Sequence, residues 1–278
     1  MLGAADTCQL RAQYTLDRPD WVVKTAGISP LVGTGYHAGL ELYYRERMED
    51  PGALPELPWM IEAGRNAFDS GLVMDAYDST PIEKVLWSDK IPDVETAHKM
   101  IEACLTEYVE GKHYWPHDLT VHGVEFNATV QDPIAGEAKL GADLLLIDPN
   151  GWLVLVDHKT AGRTWDSGKH HPRKNNQAAL YQRLARQVFP EAPGYRFVFD
   201  VMTLPSARKG PSFERRISDP EPIHEEAIAK KAASFRVVYE TVHEKMGLDL
   251  PANPASTLCN EKWCDFWHGC PYGAGLDT

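Results

Sequence analysis

The stretch GADLLLIDPNGWLVLVDHKTAG, residues 141–162, decides the fold, because it reads as two apolar strands joined by a tight turn. Runs that are apolar on both faces are typical of strands buried inside a sheet. Yet Asp143 and Asp157 stand at the outer ends of these runs, and Lys159 follows shortly after. A chain that buries two carboxylates and a lysine needs a chemical reason for doing so.

The turn DPNG sets the register of this hairpin. Pro149 cannot adopt the positive φ of a type I′ turn, so the segment predicts a type I turn followed by a left-handed Gly151. Counting outward from that turn puts Asp143 directly opposite Asp157, with both side chains on one face. The period of two places Lys159 on the same face.

Two carboxylates opposed across neighbouring strands repel each other, so they must share a proton or capture a cation. A divalent ion resolves this conflict best, and oxygen ligands favour a hard ion such as Mg²⁺ or Mn²⁺. Lys159 beside that ion could hold a scissile phosphate or orient the attacking water. The alternative is that Asp143 and Asp157 are strand-end carboxylates in water and that Lys159 simply pairs with one of them.

Helices and strands are predicted on both sides of the hairpin. Amphipathic spacing predicts helices, and alternation or apolar runs predict strands; the segments are helices 35–48, 93–111, 173–189 and 222–246 and strands 124–130 and 195–204. The order of helix, three-strand meander, helix and strand predicts a mixed α/β core. Gly33 and Gly35 are expected in the turn before the first helix, with His37 in its first turn. Cys104, in the second helix, is expected in the core.

The 278 residues are 43% apolar and have a net charge of −12. A chain of this length can bury one substantial core, so a single domain over residues 1–278 is expected. The first residues lack the basic and apolar regions of a signal peptide, and no run approaches the roughly 20 apolar residues that span a bilayer, so a cytoplasmic protein without membrane contact is expected. The negative net charge argues against a protein that coats nucleic acid along its length, so any contact with DNA must be made by a local basic patch.

Four segments follow one another along the chain: GTGYHAGLE, GAD, VDHK and QAALY. They resemble the G-x-x-H helix, the D, the D/E-x-K and the Q-x-x-x-Y motifs of the PD-(D/E)XK nuclease superfamily, in its RecB-type branch. The resemblance implies a restriction-endonuclease-like core with helical additions. It also implies that the divalent ion is bound by His37, Asp143, Asp157 and the backbone carbonyl of His158, that Lys159 is the catalytic lysine, and that Gln177 and Tyr181 contact substrate or support the site.

Two further carboxylates stand close to these motifs. Glu41 follows His37 by one helical turn, and Glu125 lies on the strand before the hairpin. Both could add a carboxylate or support the site, and the alternative is that they are solvated or ion-paired. For His37 itself the alternative is a helix-start histidine that meets a carboxylate.

A basic stretch, TAGRTWDSGKHHPRKNNQ (residues 160–177), separates the DHK strand from the next helix. The candidate DNA-binding residues in it are Arg163, Trp165, Lys169, Arg173 and Lys174. Basic side chains interleaved with an aromatic ring suit a single strand, because the backbone needs countercharge and the bases can stack. The alternative is a solvated loop.

Three of the five cysteines crowd into CNEKWCDFWHGC, residues 259–270. Such thiolates bind zinc or an iron–sulfur cluster. His268 makes a zinc site of three cysteines and one histidine an alternative. The arrangement resembles that of RecB-type nucleases, including AddB-like repair nucleases and CRISPR-associated adaptation nucleases, which hold a 4Fe-4S cluster with one N-terminal and three C-terminal cysteines. The resemblance implies a cluster that staples the chain ends, with structural Zn²⁺ as the alternative, on Cys8, Cys259, Cys264 and Cys270. The gap between Cys259 and Cys264 is wider than in the usual family pattern.

The motifs together predict a metal-dependent DNA nuclease, by resemblance an exonuclease acting on single-stranded DNA or DNA ends in recombination, repair, replication or CRISPR adaptation. The expected reaction is in-line attack of a metal-activated water on a phosphodiester, with Lys159 assisting. One rival is a non-catalytic DNA-binding or recombination-assembly module on the same fold. Another is an endonuclease or an RNA-directed enzyme. The acidic surface favours a protein partner that adds DNA affinity.

Overall fold

The computed structural model describes residues 9–10, 13, 25–74, 81–163, 175–218, 222–246, 250 and 270. Its strands are β1 (Thr25–Gly27), β2 (Lys84–Leu86), β3 (Thr120–Asp132), β4 (Gly136–Ile147), β5 (Leu153–Ala161), β6 (Tyr195–Thr203) and β7 (Ser212–Ser218). Its helices are α1 (Ile28–Glu49), α2 (Leu57–Gly71), α3 (Val94–Glu110), α4 (Asn176–Val188) and α5 (Pro222–Val238), and the π-helical segment Tyr239–Lys245 follows α5. None of the described helices is long and apolar enough to cross a bilayer.

The longer strands form one mixed sheet in the order β3-β4-β5-β6-β7. Neighbours are antiparallel except β5 and β6, which are parallel. A parallel pair needs a crossover connection, and α4 lies in that connection. The predicted order of helix, meander, helix and strand is confirmed, and the architecture is consistent with a restriction-endonuclease-like fold. The antiparallel edge strand β7 and the separate parallel pair β1–β2 were not predicted.

The turn between β4 and β5 has the predicted form. The N–H of Gly151 donates to the carbonyl of Asp148 at 2.8 Å, and the N–H of Asp148 donates to the carbonyl of Trp152 at 3.0 Å. Gly151 has a φ of +81°, in the left-handed region that glycine tolerates. The Asp148 carboxylate also accepts from the N–H groups of Asn150 and Trp152, which closes the turn from inside.

This turn fixes the pairing along the whole hairpin. The pairing runs from Ile147 and Leu153 to Leu144 and Val156, and Asp143 and Asp157 follow that last pair. The register is therefore the predicted one up to the residues before the two carboxylates, and their direct opposition stays a prediction. The charged end of the hairpin lies away from the turn, where β4 and β5 separate.

Two apolar cores lie on the two faces of the sheet. The first packs the sheet against α1, α2 and α3 and includes Tyr36, Cys104, Leu105, Leu144, Val156 and Val198. The second packs it against α4 and includes Leu145, Leu155, Leu184, Phe197 and Phe199. The prediction that Cys104 is a core residue is confirmed.

Helix α1 begins at Ile28, well before the predicted start at residue 35. The prediction that Gly33 and Gly35 lie in a preceding turn and His37 in the first turn is wrong, because all three lie inside the helix. Gly33 is needed for close approach rather than for a turn: a Cβ there would lie 2.6 Å from Oγ1 of Thr160 on β5. Helix α1 therefore rests on β5, which brings His37 over the hairpin.

Glycines also bring α1 and α2 into backbone contact. A Cβ on Gly35 would lie 2.7 Å from the Gly64 carbonyl oxygen, and a Cβ on Gly64 would lie 2.7 Å from that of Gly35. A Cβ on Gly39 would lie 2.9 Å from the Met60 carbonyl oxygen. Such small contact residues let two helices approach more closely than ordinary side chains allow.

Glu125 interrupts β3 with a φ of +49°. Val124 and Leu144 pair on one side of it and belong to the first core, whereas Phe126 on the other side packs against the second. The β3–β4 hairpin thus changes the core that it covers at Glu125. A left-handed conformation in a residue with a side chain is strained, and such strain is frequent at functional sites.

Candidate active site

Acidic side chains follow one another across three neighbouring strands at the charged end of the hairpin. Glu125 on β3 and Asp143 on β4 both lie between the pairs Val124–Leu144 and Phe126–Ala142, and Asp157 on β5 follows the pair Leu144–Val156. His37 on α1 reaches the same place, with its Nδ1 3.8 Å from Oδ2 of Asp143. Lys159 joins the group from β5, with its Nζ 2.6 Å from Oδ2 of Asp157.

The peptide group of His158 links the two strands at this point. Its N–H donates to Oδ2 of Asp143 at 2.6 Å. Burial raises the pKa of Asp143, while this hydrogen bond and the charge of Lys159 act in the opposite direction. The Asp143 carboxylate therefore has less countercharge than its burial demands.

Asp157 is the most deeply buried carboxylate of the group, with 5% of its surface exposed. Its Oδ1 accepts a hydrogen bond from Nε2 of Gln177 at 2.9 Å. Burial raises the pKa of Asp157 to about 6, because the lowering by Lys159 is incomplete and Asp143 adds to the rise. Burial alone would lower the pKa of Lys159, yet the two carboxylates raise it, so the ammonium stays charged.

His37 is held in its neutral form. Burial lowers its pKa to about 4, against an opposing effect of Asp157. Its ring meets that of His158 edge to face, with centroids 5.9 Å apart. A neutral imidazole has a free nitrogen lone pair, which is the form that binds metal ions.

Helix α4 begins beside the site because Asn175 caps it. The Asn175 side chain accepts from the N–H groups of Gln177 and Ala178, so the first turn of α4 points at the hairpin. Gln177 then reaches Asp157, and Tyr181 follows one turn later. Burial raises the pKa of Tyr181, which keeps its hydroxyl protonated.

The donor set suits a hard divalent ion, since it consists of two carboxylates and one neutral imidazole. Oδ2 of Asp157 is buried and has no aligned hydrogen-bond donor among the described residues, despite the nearby Lys159 ammonium. Within those same residues, no three histidine, cysteine or acidic side chains converge closely enough to hold an ion as they stand. The residues fit a hard cation by the chemistry of their donor atoms.

Glu125 interacts electrostatically with Asp143 and Asp157, which the sequence patterns did not indicate. Burial, together with the charges of Asp143 and Glu41, raises its pKa to about 7, although Arg45 acts in the opposite direction. Arg45 pairs with Glu41 at 2.7 Å along α1. The register count outward from the hairpin could have found Glu125, but no sequence signal indicates its left-handed backbone.

The raised pKa of Glu125 predicts a pH dependence in metal-free protein. Its stabilising contribution is complete below the unfolded value near 4.5 and is lost as the pH rises through about 7. Glu125→Gln should therefore be more stable than wild type at pH 8, by about 1 kcal/mol after discounting for solvent exposure, and the difference should vanish at pH 5. Thermal melts in chelator test this. Glu137→Gln, near the tip of the β3–β4 hairpin, is the control. An equal gain of stability at pH 8 in that variant would contradict the prediction.

Several predicted residues lie outside the described part of the chain. These are the DNA-binding candidates Trp165, Lys169, Arg173 and Lys174 and the cluster candidates Cys8, Cys259 and Cys264. Arg163 is described and is exposed directly after β5, so the basic stretch starts next to the site. Cys270 is described and is partly buried.

The central hairpin of the mixed sheet presents Asp143, Asp157 and Lys159, and the Gln177 amide of α4 lies beside them. This arrangement is typical of one class of protein, the nucleases with a D and a D-x-K motif. The model of the PD-(D/E)XK nuclease superfamily matches residues 2–271. The chain therefore belongs to the PD-(D/E)XK nuclease superfamily, whose members are generally metal-dependent nucleases.

Other comparisons add less. Among solved structures the chain is similar to one described as "Crystal structure of SSO0001", with 14% identity, 95% of this chain and 94% of that chain covered, and a TM-score of 0.36. At that score the likeness supports no argument about this chain. A search of curated proteins finds no match.

Proposed function

We propose that this protein is a divalent-metal-dependent deoxyribonuclease of the RecB-type branch, acting as an exonuclease on single-stranded DNA or DNA ends. The observation that supports it most is the convergence of Asp143, Asp157 and Lys159 at the end of the central hairpin. Their raised carboxyl pKa values mark a deficit of positive charge that a divalent ion would fill. The expected setting is recombination, repair, replication or CRISPR adaptation.

The proposed ligands of Mg²⁺ or Mn²⁺ are His37, Asp143, Asp157 and the backbone carbonyl of His158. The ion would supply charge to the phosphate and lower the pKa of a bound water. Lys159 would leave Asp157 and place its ammonium on a non-bridging phosphate oxygen, where negative charge develops. As a compact point charge it can make that exchange without a fixed donor geometry.

The helix α4 residues have proposed supporting roles. Gln177 donates to Oδ1 of Asp157 and so would hold the rotamer of that carboxylate while Lys159 moves. The Tyr181 hydroxyl lies opposite Gly141, where a Cβ would come within 3.6 Å of it. From this position Tyr181 would contact substrate or support the site.

DNA would enter along the basic stretch that starts at Arg163. Lys169, Arg173 and Lys174 would neutralise phosphates, and Trp165 would stack on a base for about 1 to 3 kcal/mol. The net charge of −12 confines DNA to such a path. A protein partner in a recombination, repair or adaptation complex would supply further affinity.

We further propose one nuclease domain over residues 1–278, with its ends joined by a 4Fe-4S cluster on Cys8, Cys259, Cys264 and Cys270. Structural Zn²⁺ is the alternative ligand of the same thiolates. Because such a metal joins distant segments, its binding energy becomes folding energy. No redox step is required of it in hydrolysis.

Cys264→Ser should therefore remove the metal and lower the melting temperature. Iron, sulfide and zinc analysis of purified protein distinguishes the cluster from zinc. Cys104→Ala is the matched control, because Cys104 is buried in the first core and its loss should lower stability without loss of metal. Unchanged metal content and stability in Cys264→Ser would refute the staple.

The function is tested by titrating Mg²⁺ and Mn²⁺ against single-stranded DNA labelled at either end, with circular single strands and RNA in parallel. Ion-dependent cleavage of linear DNA alone supports the exonuclease, and the label released first gives the polarity. Cutting of circles shifts the proposal to an endonuclease, and preferential cutting of RNA shifts it to an RNA-directed enzyme. Well-folded protein that binds DNA without cutting it supports the non-catalytic module.

A further inference from the structure

A buried ion pair lies behind the site, on the face of the sheet that α1 and α3 cover. Asp200 on β6 accepts from Nε of Arg215 at 2.7 Å and from Nη2 at 2.9 Å. It also accepts from Nε1 of Trp115 at 3.2 Å, and the Arg215 guanidinium stacks 3.7 Å from the Trp115 ring. Asp200 is completely inaccessible to solvent. The cluster of Asp200, Arg215 and Trp115 is absent from the motifs that define the site.

The sheet register connects this cluster to the site. Asp200 pairs with His158 across the parallel strands, and Oδ2 of Asp200 lies 4.0 Å from Nδ1 of His158. The His158 ring is 97% buried and stacks on Tyr44 at an interplanar angle of 20°. Neither ring nitrogen of His158 has a hydrogen-bond partner among the described residues. On that side the ring faces the Asp200–Arg215 pair.

We propose that the Asp200–Arg215–Trp115 cluster positions the active site through His158. The negative charge of Asp200 orients the His158 ring, and the oriented ring fixes the peptide group that donates to Asp143. The cluster is therefore a positioning element rather than a catalytic one, since none of its members touches the reacting groups. This inference rests on the proposed function for its effect on cleavage, but not for its effect on the hairpin.

Energetics favour a geometric role over a purely stabilising one. Burying an ion pair costs desolvation that its attraction roughly repays, so such a pair adds little net stability compared with apolar residues. What it does add is a fixed direction, because the Arg215 fork meets the carboxylate through two hydrogen bonds. A neighbour that orients a ligand-bearing group typically changes metal affinity or activity by about 10- to 100-fold.

The chain contains a matched control for this pair. Asp132 and Arg183 form a second aspartate–arginine pair with two hydrogen bonds, at 2.6 and 3.2 Å. The side-chain exposures are 0% and 21% there, against 0% and 22% for Asp200 and Arg215. Asp132 lies at the tip of the β3–β4 hairpin, away from His158. Asp132 also accepts from the N–H groups of Ile134 and Ala135 and from Gln187, so Asp132→Asn should destabilise the fold without affecting the site.

The test compares the full-length variants Asp200→Asn, Asp132→Asn and His158→Phe. The last keeps the ring and the ion pair but removes Nδ1, so it should remain folded. We expect Asp200→Asn and His158→Phe each to lower kcat by about 10- to 100-fold with little change in KM for DNA, and their combination to be no worse than either alone. Asp132→Asn should retain wild-type kcat.

Two readouts do not depend on cleavage. Calorimetry should show weaker Mn²⁺ binding in Asp200→Asn and His158→Phe, and hydrogen exchange should be faster in β5 peptides of both, because the His158 amide loses its steady acceptor. If wild-type protein proves inactive, these readouts still decide the positioning role. The positioning role would be overturned if Asp200→Asn and Asp132→Asn had the same Mn²⁺ affinity and the same hydrogen exchange. It would also be overturned if the losses of kcat in Asp200→Asn and His158→Phe multiplied when the two changes were combined.

Discussion

Lys159→Ala should lower the rate of DNA cleavage by about 10³-fold while leaving the protein folded and able to bind DNA. The ammonium lies 2.6 Å from Asp157, and the two carboxylates raise its pKa, so it is a charged donor. In the proposed mechanism this donor meets the phosphate oxygen on which negative charge develops. Alanine removes that donor without a replacement. Because the interaction forms mainly in the transition state, kcat should fall and KM should change little.

Kinetics on end-labelled DNA check this prediction. Lys99→Ala is the control, because Lys99 is a well-exposed lysine that pairs with Glu95 on the outside of α3. Lys159→Arg keeps the charge but not the compact shape, and it should restore little activity. Asp143→Asn, which can still accept from the His158 N–H, should remove ion-dependent cleavage as well. Full activity in Lys159→Ala or Asp143→Asn would reject the site assignment.

Gly35→Ala should destabilise the fold by about 2 kcal/mol or more, although alanine is the better helix former. The added Cβ would lie 2.6 Å from Cδ1 of Ile101 and 2.7 Å from the Gly64 carbonyl oxygen. The Ile101 side chain can shift, but the Gly64 backbone cannot move without separating α1 from α2. Urea unfolding of the variant measures the loss.

Gly210→Ala provides the comparison, because a Cβ there meets nothing within 4 Å. It should leave the unfolding midpoint nearly unchanged. Helix propensity alone predicts that Gly35→Ala gains about 1 kcal/mol. A gain of that size would show that α1 and α2 do not cross at these glycines.

Local chain geometry explains why so much of the hairpin was predictable. Pro149 and Gly151 admit one kind of turn, and that turn dictates every pair as far as Leu144 and Val156, the residues next to the two carboxylates. Helix α3 was predicted to within a residue from its amphipathic spacing, and Asp93 caps it by accepting from the N–H of Thr96. Signals of this kind act within a few residues of one another.

The start of α1 was not predictable from nearby residues. Gly33 and Gly35 suggest a turn when they are considered alone, because glycine is a poor helix former. They lie inside the helix because Thr160 and Gly64 approach them from other elements. Packing against distant segments outweighed local preference there.

The sequence by itself determined that two carboxylates and a lysine meet at one end of a buried hairpin, because turn chemistry and the period of two are short-range properties of the chain. Only the tertiary structure decided what surrounds them. The Asp200–Arg215–Trp115 cluster joins segments far apart in the chain, and Glu125 has a left-handed backbone where β3 changes from one core to the other. Their positions follow from how the sheet and α1 to α3 pack together, and no local pattern encodes that packing.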